Sequence, residues 1–116
     1  MTKESRSDKQ YLLDISDAID SVEDFLANIS KEKFENSYLL QSAVFRQFEI
    51  IGEAASRLTN DLKKRFKNVK WNDVVGMRHK MIHDYFEVSI DIVWDTAKND
   101  LNSLQSQIKK ILKELD

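Results

Sequence analysis

The chain has no cysteine, no proline and only two glycines in 116 residues. The absence of cysteine rules out disulfides and thiol catalysis and fits a reducing, cytosolic compartment. With so little proline and glycine, sharp turns are scarce, which favours a few long helices over many short strands. No apolar run approaches the ~20 residues a membrane helix needs, and no signal-peptide core is present. The length suits one domain and is too short for two. These features together lead us to expect a soluble cytoplasmic protein with no membrane association.

A net charge of −2 argues by itself against a nucleic-acid binder, but its distribution does not. Residues 61–80 carry seven cations (Lys63, Lys64, Arg65, Lys67, Lys70, Arg78, Lys80) against Asp61 and Asp73, a local +5 in an otherwise acidic chain. Such a segment is either a solvated charged loop or a local anion-binding face.

Residues 1–7 are polar and are expected to form a disordered tail, leaving 8–116 as a single helical domain. From Asp8, the residues Leu12, Ile15, Ile19, Val22, Leu26 and Ile29 follow a 3-4-3-4-3 spacing, one stripe of an amphipathic helix. A second helix is expected from Ser37 to Leu58, with Leu40, Val44, Phe48, Ile51, Ala55 and Leu58 in its apolar row. Gly52 falls inside it at a cost of up to about 1 kcal/mol relative to alanine, and a close helix crossing is the expected reason. Arg46, Glu49, Glu53 and Arg57 form a polar stripe on the same helix. They are either surface ion pairs of little energetic weight or part of the wall of a cleft built by residues 78–85.

Thr59 to Lys70 reads as a connector with one helical turn around Leu62 to Phe66. Asn72 is suited to cap a third helix reaching Met81 or His83. Ser89 is suited to cap the last one, whose positions Ile90, Trp94, Ala97, Leu101, Leu104, Ile108, Ile111 and Leu115 repeat every seven residues. The fold class is therefore all-α: an antiparallel four-helix bundle with a short extra helix.

Chemistry concentrates in Arg78-His79-Lys80-Met81-Ile82-His83-Asp84-Tyr85, which holds both histidines of the protein. An arginine grips phosphate oxygens with a planar fork, and an imidazole titrates near ~6.5, so it can take or give a proton at neutral pH. Arg78 and His83 are thus candidates for metal-independent RNA cleavage by the 2′-hydroxyl, with His79 and Lys80 holding flanking phosphates. On one continuous helix the two lie about 7.5 Å apart along the axis and roughly 140° apart around it. They converge if the helix ends near His83, or if two copies share the site across a two-fold axis; the second is favoured. His79 and His83, four residues apart, could share a metal, but no third ligand is fixed by spacing, and no metal or cofactor is expected. An arginine near a histidine on an amphipathic helix is commonly structural, so the spacing alone is a weak motif.

The longer pattern resembles the HepT-type ribonuclease toxins of the HEPN superfamily, whose signature is Arg, four to six residues, His, one residue, Tyr. Phe48 to Ala55, Trp71, Gly76-Met77, Phe86, Val93-Trp94 and Asp100-Leu101 also fall in that family's order, so the resemblance spans about residues 10–112. His79 stands where the family often has Asn.

The resemblance implies a homodimeric, HEPN-like helical domain whose site lies between protomers. It implies a metal-independent endoribonuclease acting as the toxin of a type VII toxin–antitoxin system. Its implied partner is a minimal nucleotidyltransferase antitoxin of the MntA type, which transfers AMP to Tyr85. Added charge and bulk there would repel RNA from the cleft. Two other readings stand beside it: a non-catalytic substrate-binding subunit of such a nucleotidyltransferase, and a purely structural helical dimer.

Overall fold

The computed structural model describes residues 6–83 and 89–116, with the side chains of residues 80–83 outside the description. Among the described residues all regular structure is helical, and none of the helices is long and apolar enough to cross a membrane.

Helix α1 (Asp8–Leu26) begins in a capping box: the Gln10 amide donates to Ser7 Oγ at 3.2 Å, and the Ser7 amide donates to Gln10 Oε1 at 2.8 Å. Ser7, assigned to the tail for its polarity, is therefore the N-cap. The stripe Leu12, Ile15, Ile19, Val22 and Leu26 is buried as the spacing predicts. The helix stops at Leu26, before Ile29, because Asn28 turns the chain with φ 60°. Ile29 still packs on the core from beyond the helix end.

Ser30 then caps α2 (Lys31–Glu35), a one-turn helix that the apolar spacing did not reveal. Its Phe34 is fully buried and meets Trp94 with ring centroids 5.5 Å apart.

Helix α3 (Tyr38–Ser56) lies within the expected Ser37–Leu58 range and is capped by Ser37, whose Oγ accepts from the Leu40 amide. It packs between α1 and α5 (Trp71–His83). Short α4 (Asn60–Arg65) is capped by Thr59, whose amide and hydroxyl both donate to the Asp8 carboxylate. One residue thus starts α4 and ties it to the first turn of α1.

The connector after α4 belongs to the core. Phe66 and Val69 are buried, and Trp71 Nε1 donates to the Phe66 carbonyl at 3.0 Å. This bond sets where α5 begins. Helix α5 opens at Trp71, one residue before the expected Asn72 cap. The Lys70 carbonyl accepts from the amides of Asp73 and Val74, and Asn72 lies exposed in the first turn.

The last helix is not the uninterrupted heptad that its spacing suggests. Helix α6 (Ile90–Asp95) passes through a π-helical turn, Thr96–Asp100, into α7 (Leu101–Leu115). The wider turn takes up one extra residue and rotates the preceding face. Val93, off the predicted row, is consequently buried, while Ile90 and Trp94 are only partly so. Lys98, within the π turn, donates to the Leu26 carbonyl at 3.3 Å, placing a cation at the C-terminus of α1. Gln105 ties α7 to α1 through the Ser16 carbonyl and the Asp20 carboxylate.

The crossing of α3 on α5 fixes the site. A Cβ added at Gly52 would fall 2.6 Å from Arg78 Cβ and 3.0 Å from Arg78 Cα, closer than side-chain contacts allow, and would meet the Arg78 amide nitrogen too. Glycine is required here by the approach of α5 backbone, which is the expected reason for a helix-interior glycine. Gly52→Ala gains helix propensity, worth up to about 1 kcal/mol, but must push two backbones apart, at about 1–3 kcal/mol for overpacking of this kind. A net loss of stability is expected, read as a lower urea midpoint and a melting temperature several degrees lower. A midpoint equal to or above the parent's would show that the crossing is not tight.

Candidate active site

Arg78 emerges from this crossing beside α3. Its Nε meets Glu53 Oε1 at 2.8 Å, and its side chain remains 50% exposed. The other Glu53 oxygen, Oε2, accepts from Arg57 Nε at 2.9 Å. One carboxylate thus holds two guanidiniums, one turn down its own helix and across to α5. The bond to Glu53, reinforced by Coulombic attraction to the same carboxylate, raises the Arg57 pKa above its already basic value.

Arg78 and Glu53 share an open groove of about 480 Å³ with Arg46 and Glu49 of α3 and with Arg6, Tyr11 and Asp14 at the start of α1. Arg46, Glu53 and Arg78, singled out from sequence, are thereby brought together. The α3 polar stripe shares features of both expectations: Arg46, Glu49 and Glu53 wall a groove with Arg78, while Arg57 forms an exposed ion pair with Glu53 outside that lining.

Arg6 and its surroundings were not anticipated. Arg6 pairs with Asp14 at 2.8 Å and lies 5.4 Å from the Tyr11 ring centroid, at the far end of the chain from Arg78. Nothing in the local sequence links the two. The groove is also charge-balanced, with three guanidiniums (Arg6, Arg46, Arg78) facing three carboxylates (Asp14, Glu49, Glu53). It is an organised site, and its lining carries no excess of positive charge.

His79 is exposed on α5. His83 is the last helical residue of α5, but its side chain and that of Lys80 lie outside the described residues, as does all of Tyr85. Helix α5 runs continuously through positions 78 and 83. The directions of the two residues therefore differ by roughly 140°. Arg78, with Trp71 and Val74, lies on the side facing the core and α3, whereas Asn72, Gly76 and His79 share the opposite ridge, on which helical spacing also puts position 83.

Comparison with known proteins identifies the family of the chain. Residues 15–111 match the family described as Ribonuclease HepT-like. The chain is 41% identical over 108 residues to "Probable ribonuclease HepT" of Thermococcus cleftensis, covering 93% of this chain and 98% of that protein. It is 33% identical over 111 residues to a "Putative RNase" of Methanocaldococcus jannaschii, covering 96% and 92%. It is also 33% identical over 109 residues to a protein of the same designation from Caldanaerobacter subterraneus, covering 94% and 97%. No solved structure matches the chain. The chain belongs to the HepT-like ribonuclease family.

Both ion pairs of Glu53 are half-exposed, so they orient Arg78 more than they stabilise the fold. Glu53→Ala is expected to change unfolding free energy by less than about 1 kcal/mol, measured by urea denaturation. A loss near 3 kcal/mol, typical of breaking a buried pair, would contradict this assignment.

Proposed function

We propose that this protein is a metal-independent endoribonuclease toxin whose site pairs Arg78 with His83, most favourably from two copies of the chain. The observation that carries the reading is the state of Arg78: half-exposed, oriented through Nε by Glu53, and set in a groove rather than buried in the core. Binding at Nε fixes the plane of the guanidinium, and a planar fork is suited to two phosphate oxygens.

In the proposed reaction the 2′-hydroxyl of the substrate attacks the adjacent phosphorus. The new O2′–P bond forms as the P–O5′ bond breaks. One acid–base group takes the hydroxyl proton and another protonates the departing 5′-oxygen, leaving a 2′,3′-cyclic phosphate and a 5′-hydroxyl. His83 supplies the imidazole for one of these transfers, and His79 is near enough in sequence to share the work. Arg78 stabilises the extra negative charge on the phosphoryl oxygens, a contribution of roughly 10²–10³ in rate for such a group. Arg46, Lys80 and Glu53 act in support, the last by positioning Arg78.

The roughly 140° divergence between positions 78 and 83 on one helix favours a homodimer over a site within one chain. Gly76 supports the same view. It lies on the outward ridge of α5, and a Cβ there would meet none of the described residues within 4 Å. A helix-interior glycine costs about 1 kcal/mol relative to alanine, and no described neighbour requires it. A second copy packing closely on the ridge would. Gly76→Ala is then expected to raise the stability of the isolated chain but weaken self-association, measured by sedimentation at several concentrations. An unchanged association constant would remove this support.

Within this reading, RNA is the substrate, the compartment is cytoplasmic, and the domain spans 8–116. Control comes from a minimal nucleotidyltransferase antitoxin of the MntA type. It moves the AMP group of ATP onto the phenol oxygen of Tyr85, with pyrophosphate leaving, and the added charge occludes the RNA cleft. A second reading, a non-catalytic partner of such a nucleotidyltransferase, is favoured by the charge balance of the Arg78 groove, which attracts phosphate weakly.

The test is cleavage of RNA by the purified protein in EDTA. Arg78→Ala and His83→Ala are each expected to reduce the rate by at least about 100-fold while the far-ultraviolet circular dichroism stays helical. Parent-like cleavage by either variant would refute the mechanism. A parent protein that gains AMP at Tyr85 but never cuts RNA would establish the second reading.

A further inference from the structure

A second groove opens at the other end of α5. It has a volume of about 800 Å³ and is lined by Lys63 and Lys64 of α4, Lys67 and Lys70 of the connector, and the first turn of α5. Asp73 is the one carboxylate in its lining. None of the four lysines forms an ion pair with a described residue, whereas Arg6, Arg57 and Arg78 all do. The cationic segment read from the sequence is therefore folded into a concave surface with uncompensated charge.

The buried residues of this stretch show how it is held open. Leu62, Phe66 and Val69 point into the core, and the Trp71 indole is bonded to the Phe66 carbonyl. The lysines between them are turned outward, with Lys64, Lys67 and Lys70 exposed and Lys63 half-buried. A framework anchored at four apolar points presents four ammonium groups without needing any of them for its own stability.

We propose that this groove is a phosphate-binding subsite for single-stranded RNA flanking the scissile bond. The inference rests on the ribonuclease reading and adds to it a location for the attraction that the Arg78 groove lacks. The first turn of α5 lies about 10 Å along the helix axis from Arg78, a span that a strand of a few nucleotides covers. The balanced groove then orients one phosphate, and the lysine groove supplies the long-range, sequence-independent hold on its neighbours. Lysine suits this division, because it acts as a point charge and does not impose the planar geometry of a guanidinium.

The experiment measures binding of a fluorescein-labelled single-stranded RNA as a function of salt, with His83→Ala in every protein so that cleavage does not intervene. Each lysine that neutralises a phosphate adds about 0.7 to the slope of log affinity against log salt for a single strand. The combined variant K63Q/K64Q/K67Q/K70Q is expected to lose about 3 from that slope and to bind on the order of tenfold more weakly at low salt. The matching Lys→Arg variant is expected to retain both.

If the combined variant does not fold, the pairs K63Q/K64Q and K67Q/K70Q are each expected to lower the slope by about 1.4. Unchanged affinity and slope in a folded variant would overturn the proposal, as would an equal loss in the Lys→Arg protein. Because binding is read without catalysis, that failure would leave the cleavage mechanism standing. A parent protein that fails to cut would leave this measurement intact.

Discussion

The approach of α5 to α3 at Gly52 governs where every other candidate group can sit. A helix–helix contact made through side chains keeps the axes 8–10 Å apart, and an arginine at the contact would be pushed outward into water or buried against apolar neighbours. Removing the side chain at position 52 lets the backbone of Arg78 rest on α3 itself. Two consequences follow from that single deletion. The Arg78 side chain begins at the helix seam rather than on the outer face, and Glu53, the residue after Gly52, lies in reach to receive its Nε. The carboxylate and the guanidinium meet because the glycine beside one of them allows the approach of the other. The helix-propensity cost of Gly52 is thus offset by a geometry that no larger residue permits.

The electrostatics divide along α5. Near Arg78 the charges balance: Glu53 is paired with Arg57 and Arg78 and Asp14 with Arg6, while Arg46 and Glu49 add one charge of each sign. Such balance holds side chains in defined positions but gives little long-range attraction, since opposite charges within a few ångströms cancel well inside a Debye length of about 8–10 Å. Near the start of α5, the lysines are unanswered by any described carboxylate in an ion pair. Attraction and orientation place opposite demands on a charged surface: the first wants excess charge, and the second wants it held. Separating them along one helix lets both be met, and it also explains how a chain with a net charge of −2 can present a face suited to a polyanion.

Sequence periodicity disclosed what depends on long repetition and hid what depends on one or two residues. The α1 stripe and helix α3 were legible because six apolar positions in each row average out local accident. The helix α2 was hidden by its length, since five residues cover little more than one 3.6-residue period and show no repeat. The π turn was hidden because the seven-residue spacing survives it on paper; only the burial of Val93 in place of a residue on the row reveals the extra residue. Gly52 was readable as a crossing, but not as a crossing at Arg78, since pairing positions 26 residues apart needs the fold. Arg6 and Tyr11 were unreadable as groove residues for the same reason. The polar stripe of α3 left two meanings open, and it carries both, an exposed Glu53–Arg57 pair and a groove wall beside Arg78.

The helical geometry of α5 bears on how a site could be completed. His83 is the last helical residue of α5, which meets the condition for a site completed within one chain, although positions 78 and 83 still diverge by roughly 140° around the axis. Unwinding any turn before His83 would forfeit backbone hydrogen bonds, each worth about 0.5–1.5 kcal/mol. A second helix, as in the proposed dimer, would cost no secondary structure. Gly76 leaves the ridge low where a neighbour could approach, and positions 79 and 83 flank it on the same face. Under the proposed homodimer, each protomer would keep its own guanidinium at the seam with α3 and offer its imidazole to a neighbour. Activity would then depend on protomer concentration as well as on substrate.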